Sequence, residues 1–289
     1  MELRHLRYFI RAAELLHFTR AAESLFVSQP ALSAQIKQLE DELGVNLFAR
    51  VGRNVRLTEA GELFISYARK AIQSIEKGEE ELSALEGLMR GNLRVVAIPE
   101  FGSIILPALI VQFQDRYPNV YFKLTASTSD SIERNVLAGH FDLGITLLPL
   151  ERNDLDCLEL FVDEIVLAVS SCHHLAKQTE VAPSVLNELP LALGIQQLLH
   201  VDGMTFLREH NIQPKVLAEL EERTAVLNAV RTGKLATLIP RSLVPDDIVP
   251  LKLVGSGPTV RICVVWSCLS PAAHAFLEML KKHFESSRD

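Results

Sequence analysis

Cysteine is scarce in this chain of 289 residues. There are four, at positions 157, 172, 263 and 268, and none forms a CxxC pair. That excludes a disulfide framework, and in a reducing compartment such cysteines read as buried or free thiols. Cys172-His173-His174 is the nearest approach to a metal cluster. Adjacent ligands without a distant partner motif make a poor zinc site, so it reads as a surface turn. No run approaches the roughly 18 uninterrupted apolar residues of a membrane span. The start, Met1-Glu2-Leu3-Arg4-His5, lacks the basic region and apolar stretch of a signal peptide, so the expected location is the cytoplasm. GxSxG, HExxH and P-loop motifs are all missing. Nothing therefore points to an enzyme, a cofactor or a metal.

Positive charge is also in deficit overall, with a formal net charge of −7. The deficit is uneven. Residues 1–58 hold eight Lys/Arg against six Asp/Glu, residues 59–89 three against seven, and the remainder eighteen against twenty-three. Phosphate binding needs a local basic face, not a basic whole. What is abundant is apolar material, 48% of the chain, which suits packed cores.

The first 58 residues read as three short helices and a hairpin. Leu3, Leu6, Phe9, Ile10 and Ala13 recur at helical spacing. Thr19 can cap a second helix, 20–26, with Ala21, Ala22 and Leu25 inward. Ser28 can cap a third, with Pro30 in its first turn, Leu32, Ile36, Leu39 and Leu43 inward, and Gly44 as its stop. Residues 47–50, a turn at 52–54 and residues 55–57 suggest a two-stranded wing.

This is a helix-turn-helix pattern. The outward face of the third helix carries Gln29, Pro30, Ser33, Ala34 and Lys37. Gln pairs bidentately with adenine, Ser bonds either strand, and Pro or Ala can touch a thymine methyl. A helix N-terminus favours phosphate. Thr19, Arg20 and Ser28 join this surface, and in the wing Arg50, Arg53, Asn54 and Arg56 can follow the backbone or enter a narrow minor groove.

A long helix is expected from Thr58 through 89. Phe64, Ala68, Ala71, Ile75, Gly78, Leu82, Leu85 and Met89 alternate at four and three, a coiled-coil seam over about three heptads. The other reading is a helix packed on its own domain. Beyond Gly91, short apolar runs alternate with helical patterns in two successive sets. That texture predicts an α/β region of two similar lobes with a cleft between them.

The motifs Leu6-Arg7-Tyr8-Phe9, Phe18-Thr19-Arg20-Ala21-Ala22, Ser28-Gln29-Pro30-Ala31-Leu32-Ser33, the run Gln35 to Gly44, and Leu57-Thr58-Glu59-Ala60-Gly61 together resemble the N-terminal domain of LysR-type transcription regulators. Gly91-Asn92-Leu93-Arg94-Val95 and Phe141-Asp142-Leu143-Gly144-Ile145 resemble parts of that family's sensing domain. The resemblance implies a winged helix-turn-helix at 1–58, a linker and dimerisation helix at 59–89, and an effector domain at 90–289. Its two Rossmann-like lobes, akin to periplasmic binding proteins, would span about 90–161 with 266–289, and about 162–265. It further implies a double-stranded DNA operator with interrupted dyad symmetry, a homodimer often assembled into a homotetramer, and a small-molecule effector.

By the same resemblance the effector lies between the lobes, near Glu100, Phe101, Gly102 and Ser103, near Ser127, Thr128 and Ser129, and near Gly194, Ile195, Gln196 and Thr224 of the second lobe. Ser103 and Ser129 also read as ordinary helix caps. Where many relatives have Ser or Thr, position 100 is Glu. A carboxylate there opposes an anion unless it is paired, protonated or turned away. An organic acid is still favoured over a cation, an amine or a neutral molecule. Redox-sensing members use paired cysteines near 195–210, and this segment has none.

Overall fold

The computed structural model describes residues 1–51, 54–85, 89–194, 202–255 and 257–285. The chain opens with α1 (Leu3–Leu15), α2 (Phe18–Ser24) and α3 (Gln29–Leu43), then β1 (Phe48–Val51) and β2 (Asn54–Leu57). The three helices and the antiparallel pair enclose one core of Leu6, Phe9, Ala12, Ala21, Ala22, Leu32, Ile36, Leu39 and Leu47. Alanines stand where helices cross closely. Phe9 is fully buried and meets Phe48 edge-on at 5.6 Å. Truncating such a residue costs about 3–5 kcal/mol.

Ser28 caps α3, its hydroxyl accepting from Ala31 N at 3.3 Å, and Gly44 ends the helix at φ 71°. Thr19 does not cap α2. That helix begins two residues earlier than expected, at Phe18, and the His17 ring accepts from Arg20 N. It also stops at Ser24, because residues 25–27 form a Schellman turn in which Phe26 N donates to Glu23 O and Val27 N to Ala22 O.

Next comes α4 (Glu59–Leu85), capped by Thr58, whose hydroxyl accepts from Gly61 N at 3.0 Å. Gly61 lies so close to the wing that a Cβ there would collide with the Leu47 carbonyl oxygen. The expected seam is corrected at both ends. Phe64 and Ala68 pack into the helix-turn-helix core together with Ile65 and Ile72, and Met89 packs on the core of the next domain. The early turns of α4 are already used by their own domain. The exposed apolar stripe therefore runs instead through Leu63, Tyr67, Ala71, Ile75 and Leu82.

The remaining elements are β3 (Gly91–Ala97), α5 (Pro99–Ile104), α6 (Leu106–Arg116), β4 (Val120–Ala126), α7 (Ser129–Leu137), β5 (Leu143–Leu148), β6 (Asp156–Ser170), β7 (Glu180–Val181), β8 (Pro190–Gly194), α8 (Asp202–Glu209), β9 (Lys215–Leu220), α9 (Arg223–Arg231), β10 (Thr237–Pro240), β11 (Ile248–Leu253), β12 (Thr259–Trp266) and α10 (Pro271–Glu285). In lobe I, β4, β3 and β5 are parallel and β12 closes the sheet antiparallel to β5. Phe113 of α6 and Phe276 of α10 meet Phe122 on one face, and α7 covers β5 on the other. In lobe II, β8 and β9 pair in parallel, α9 packs on β8, and β10 and β11 join β6.

β6 belongs to both lobes. Its first part, through Glu164, pairs with β12; from Ile165 on it pairs with β10 and β11. The return crossing precedes β12 and does not fall at 265/266, because β12 is hydrogen-bonded to β5 and so belongs to lobe I. An apolar strand pattern does not show which sheet the strand will join.

A polar junction links the three parts of the chain. The Arg69 guanidinium on α4 bonds Glu14 of α1 at 3.0 Å and also reaches His140 Nε2 of lobe I. His140 Nδ1 meets Asn135 Oδ1 at 2.7 Å, and Asp142 holds Arg94. These partners fit a neutral imidazole, donating at Nδ1 and accepting at Nε2. Burial first, and then the Arg69 charge, push His140 down to about 4. The unfolded chain takes up this proton below about pH 6.5, whereas the native chain does so only near 4. Stability contributed here is present above pH 6.5 and is lost as pH falls toward 4. Allowing for solvent screening, the loss is about 1–2 kcal/mol. Thermal midpoints of wild type and His140→Asn should therefore converge as pH drops across that window; parallel curves would refute the assignment.

Candidate functional site

The geometry of the DNA-facing surface begins with packing. Because Leu32, Ile36 and Leu39 are buried, α3 must turn Gln29, Pro30 and Lys37 outward, and all three are exposed. Thr19, Arg20, Ser28 and Arg56 are exposed as well, and Ser33 is half-buried. The Gln29 amide donates to Ser33 Oγ at 2.8 Å, so two candidate base-reading groups orient each other. Lys37 is paired with Asp41 at 2.9 Å, which raises its pKa and offsets part of its charge. Arg50 lies on β1, and Arg53 falls outside the described residues.

Sequence reasoning missed what aims this surface. Glu40 on α3 accepts from the backbone N–H groups of Leu47 at 2.7 Å and Phe48 at 3.1 Å, tying the wing to the recognition helix. Thr58 adds a bond to Asn46 O at 2.7 Å. The signal was available in part: Glu40 is a charged residue on the half-buried flank of α3, where a partner is required.

At the cleft, Glu100 and Phe101 face Asp163 on the crossing strand β6 and Ser242 and Leu243 of the other lobe, with Phe161 beside them. The void between these groups is about 10 Å³, too little for a ligand. Phe101 and Gly102 are buried. Ser103 caps nothing; it lies inside α5 and its hydroxyl donates to Glu100 O. Nor does Ser129 cap α7, where the N-cap residue is Thr128. Ser127 lines a different groove, with Lys123, Asn135 and His140. Gly194 ends β8, Thr224 is exposed at the start of α9, and Ile195 and Gln196 lie outside the described residues. The residues named for the effector are therefore not all brought together.

Arg223 is the important omission. It opens α9, next to Thr224, and its guanidinium bonds the Leu243 carbonyl. Burial lowers its pKa and the carboxylate of Glu100 raises it, so the two opposite charges interact across the lobes. Its Nε is buried and makes no hydrogen bond among the described residues. A cation in the first turn of a helix opposes the helix dipole. That local conflict was visible in the sequence. Asp163 is held by Ser242 at 2.6 Å, and burial raises its pKa.

Cys157 and Cys263 neighbour each other on β6 and β12, and burial pushes both thiols up, toward the unreactive protonated form. Cys172, His173 and His174 stand on the turn after β6. No helix among the described residues is long and apolar enough to cross a membrane.

An exposed, capped recognition helix, a keyed wing and a two-lobed α/β domain define a winged helix-turn-helix transcription regulator with a ligand-binding domain. Residues 3–62 match the model of the bacterial regulatory helix-turn-helix protein, lysR family, and residues 86–285 that of the LysR substrate binding domain. The chain belongs to the LysR family. It is 34% identical to the HTH-type transcriptional regulator AlsR of Bacillus subtilis (strain 168) over 248 residues, 84% of this chain and 81% of that one. It is 30% identical to the Hca operon transcriptional activator HcaR of Escherichia coli (strain K12), with 99% of each covered. Among solved structures it is similar to a single-site variant of full-length OxyR from Pseudomonas aeruginosa, with TM-score 0.78, 26% identity, and 99% and 95% of the two chains covered. It is also similar to full-length CbnR complexed with its target DNA, with TM-score 0.59, 26% identity, and 98% and 100% covered. The chain is a DNA-binding transcription regulator with an effector-binding domain, and not an enzyme.

Proposed function

We propose that this regulator acts in the cytoplasm as a homodimer joined along α4, with pairs of dimers forming a homotetramer on the operator, and that a small organic acid entering between the lobes switches it. Bases are read by Gln29 and Ser33 with Pro30 beside them, while Thr19, Arg20, Ser28, Lys37, Arg50, Arg53 and Arg56 hold the backbone or the adjacent minor groove. Helix N-termini at α7 and α9, with Arg223, receive the acid.

The observation that carries the DNA reading is the bond from exposed Gln29 to half-buried Ser33 on a helix whose opposite face is committed to the core. A bidentate amide contributes about 1–3 kcal/mol of discrimination. Gln29→Ala is therefore expected to flatten the ranking of operator variants at one adenine per half-site, measured by competition binding. An unchanged ranking at unchanged affinity refutes the recognition assignment.

A further inference from the structure

Phe26 is 96% exposed, far beyond the other large apolar side chains among the described residues. It is also the αL residue of the turn between α2 and α3, at φ 56°. The Schellman bonds on either side of it fix that backbone, and Val27 next to it packs against the core of the helix-turn-helix domain. Gly or Asn is the ordinary occupant of such a position. Water opposes phenylalanine here, and so does the backbone. Neither folding nor solubility accounts for the residue, which leaves a contact made only in a complex.

The ring stands two residues before the Ser28 cap and three before Gln29, so it is continuous with the DNA-reading surface. When the N-terminus of a recognition helix enters the major groove, the turn before it comes against the strand bordering that groove. The apolar groups available there are thymine methyls and the faces of deoxyribose rings. We infer that Phe26 is a DNA-contacting residue, laying its ring on a thymine methyl and the neighbouring deoxyribose at the edge of each half-site. This rests on α3 being the recognition helix, and it adds an uncharged anchor that the basic and amide residues do not supply.

Phe26→Asn and Phe26→Leu test it. The probe is a duplex enriched from a random-sequence pool by the wild-type protein. The Asn variant should melt at a higher temperature than wild type, since Asn suits αL, yet bind the duplex about fivefold to tenfold more weakly. Its dependence of log Kd on log salt should keep the wild-type slope, because no phosphate contact is lost. The Leu variant should retain part of the affinity. An Asn variant that binds as tightly as wild type overturns the inference. So does one that keeps DNA affinity but loses activation in a purified transcription reaction, for Phe26 would then meet RNA polymerase. A fall in both melting temperature and binding that Leu does not relieve makes the ring structural, which also refutes the contact. Loss of binding by Gln29→Ala with Phe26→Asn unaffected would retain the recognition helix and remove only Phe26.

Discussion

A chain carrying both Tyr67→Glu and Leu82→Glu is expected to sediment as a monomer and to lose operator affinity by about a hundredfold or more. Both side chains are largely exposed on α4, at 62% and 67%, and they belong to a stripe that also includes Leu63, Ala71 and Ile75. An apolar stripe of this length on a helix needs a partner. On the proposed assembly, a second copy of α4 would meet that need and would present two recognition helices to two half-sites. Breaking the pair reduces a bivalent contact to a monovalent one, which removes the avidity of linked binding, on the order of a hundredfold to ten-thousandfold. The substitutions lie away from Phe64, Ala68 and Ile72, the residues of α4 that fill the helix-turn-helix core. The monomer should therefore keep its helical circular dichroism and its melting transition. A double variant that stays dimeric places the interface elsewhere.

The seam shows what pattern can and cannot tell. Spacing of four and three selected α4 as amphipathic, but spacing is indifferent to which apolar stripe faces which neighbour. Phe64 and Ala68 fit the seam by spacing but are core residues, because α1 and the wing take that side of the helix first. Residues 28–44 were legible almost to the residue, since cap, proline and terminal glycine are local signals. Thr19 has the chemistry of a cap, but His17, a less usual one, accepts that bond two residues earlier. The doubled role of β6 was not legible: its first half mixes Asp156, Glu159, Asp163 and Glu164 with apolar residues, its second is an unbroken apolar run, and neither pattern names the sheet it joins. The cleft was least legible. Its charges come from Glu100 and Arg223, more than a hundred residues apart in sequence. Opposite charges so distant carry no joint signal until the lobes bring them together.

That pair sets the second large expected effect. If the effector is an organic acid, Arg223→Ala should weaken its binding by about thirtyfold to a hundredfold, the cost of losing a charge-assisted, two-pronged contact to a carboxylate. Glu100→Ser should act the other way. The Glu100 carboxylate acts on Arg223 through space and would repel an acid held there, so removing it relieves like-charge repulsion. The expected gain is about fivefold, the scale of two partly screened charges. The lobes leave almost no void at this place, so the acid must part them to enter, and binding is thereby coupled to the angle between the lobes. A thermal-shift screen of small acids, amines and aromatic metabolites finds the ligand, and calorimetry on wild type, Arg223→Ala and Glu100→Ser compares affinities. Weaker binding to Glu100→Ser identifies a cationic group on the ligand and overturns the organic-acid reading. Unchanged affinity in both variants removes Glu100 and Arg223 from the site. Opposite signs, with the larger change at Arg223, are what an acid held by the guanidinium and resisted by the carboxylate requires.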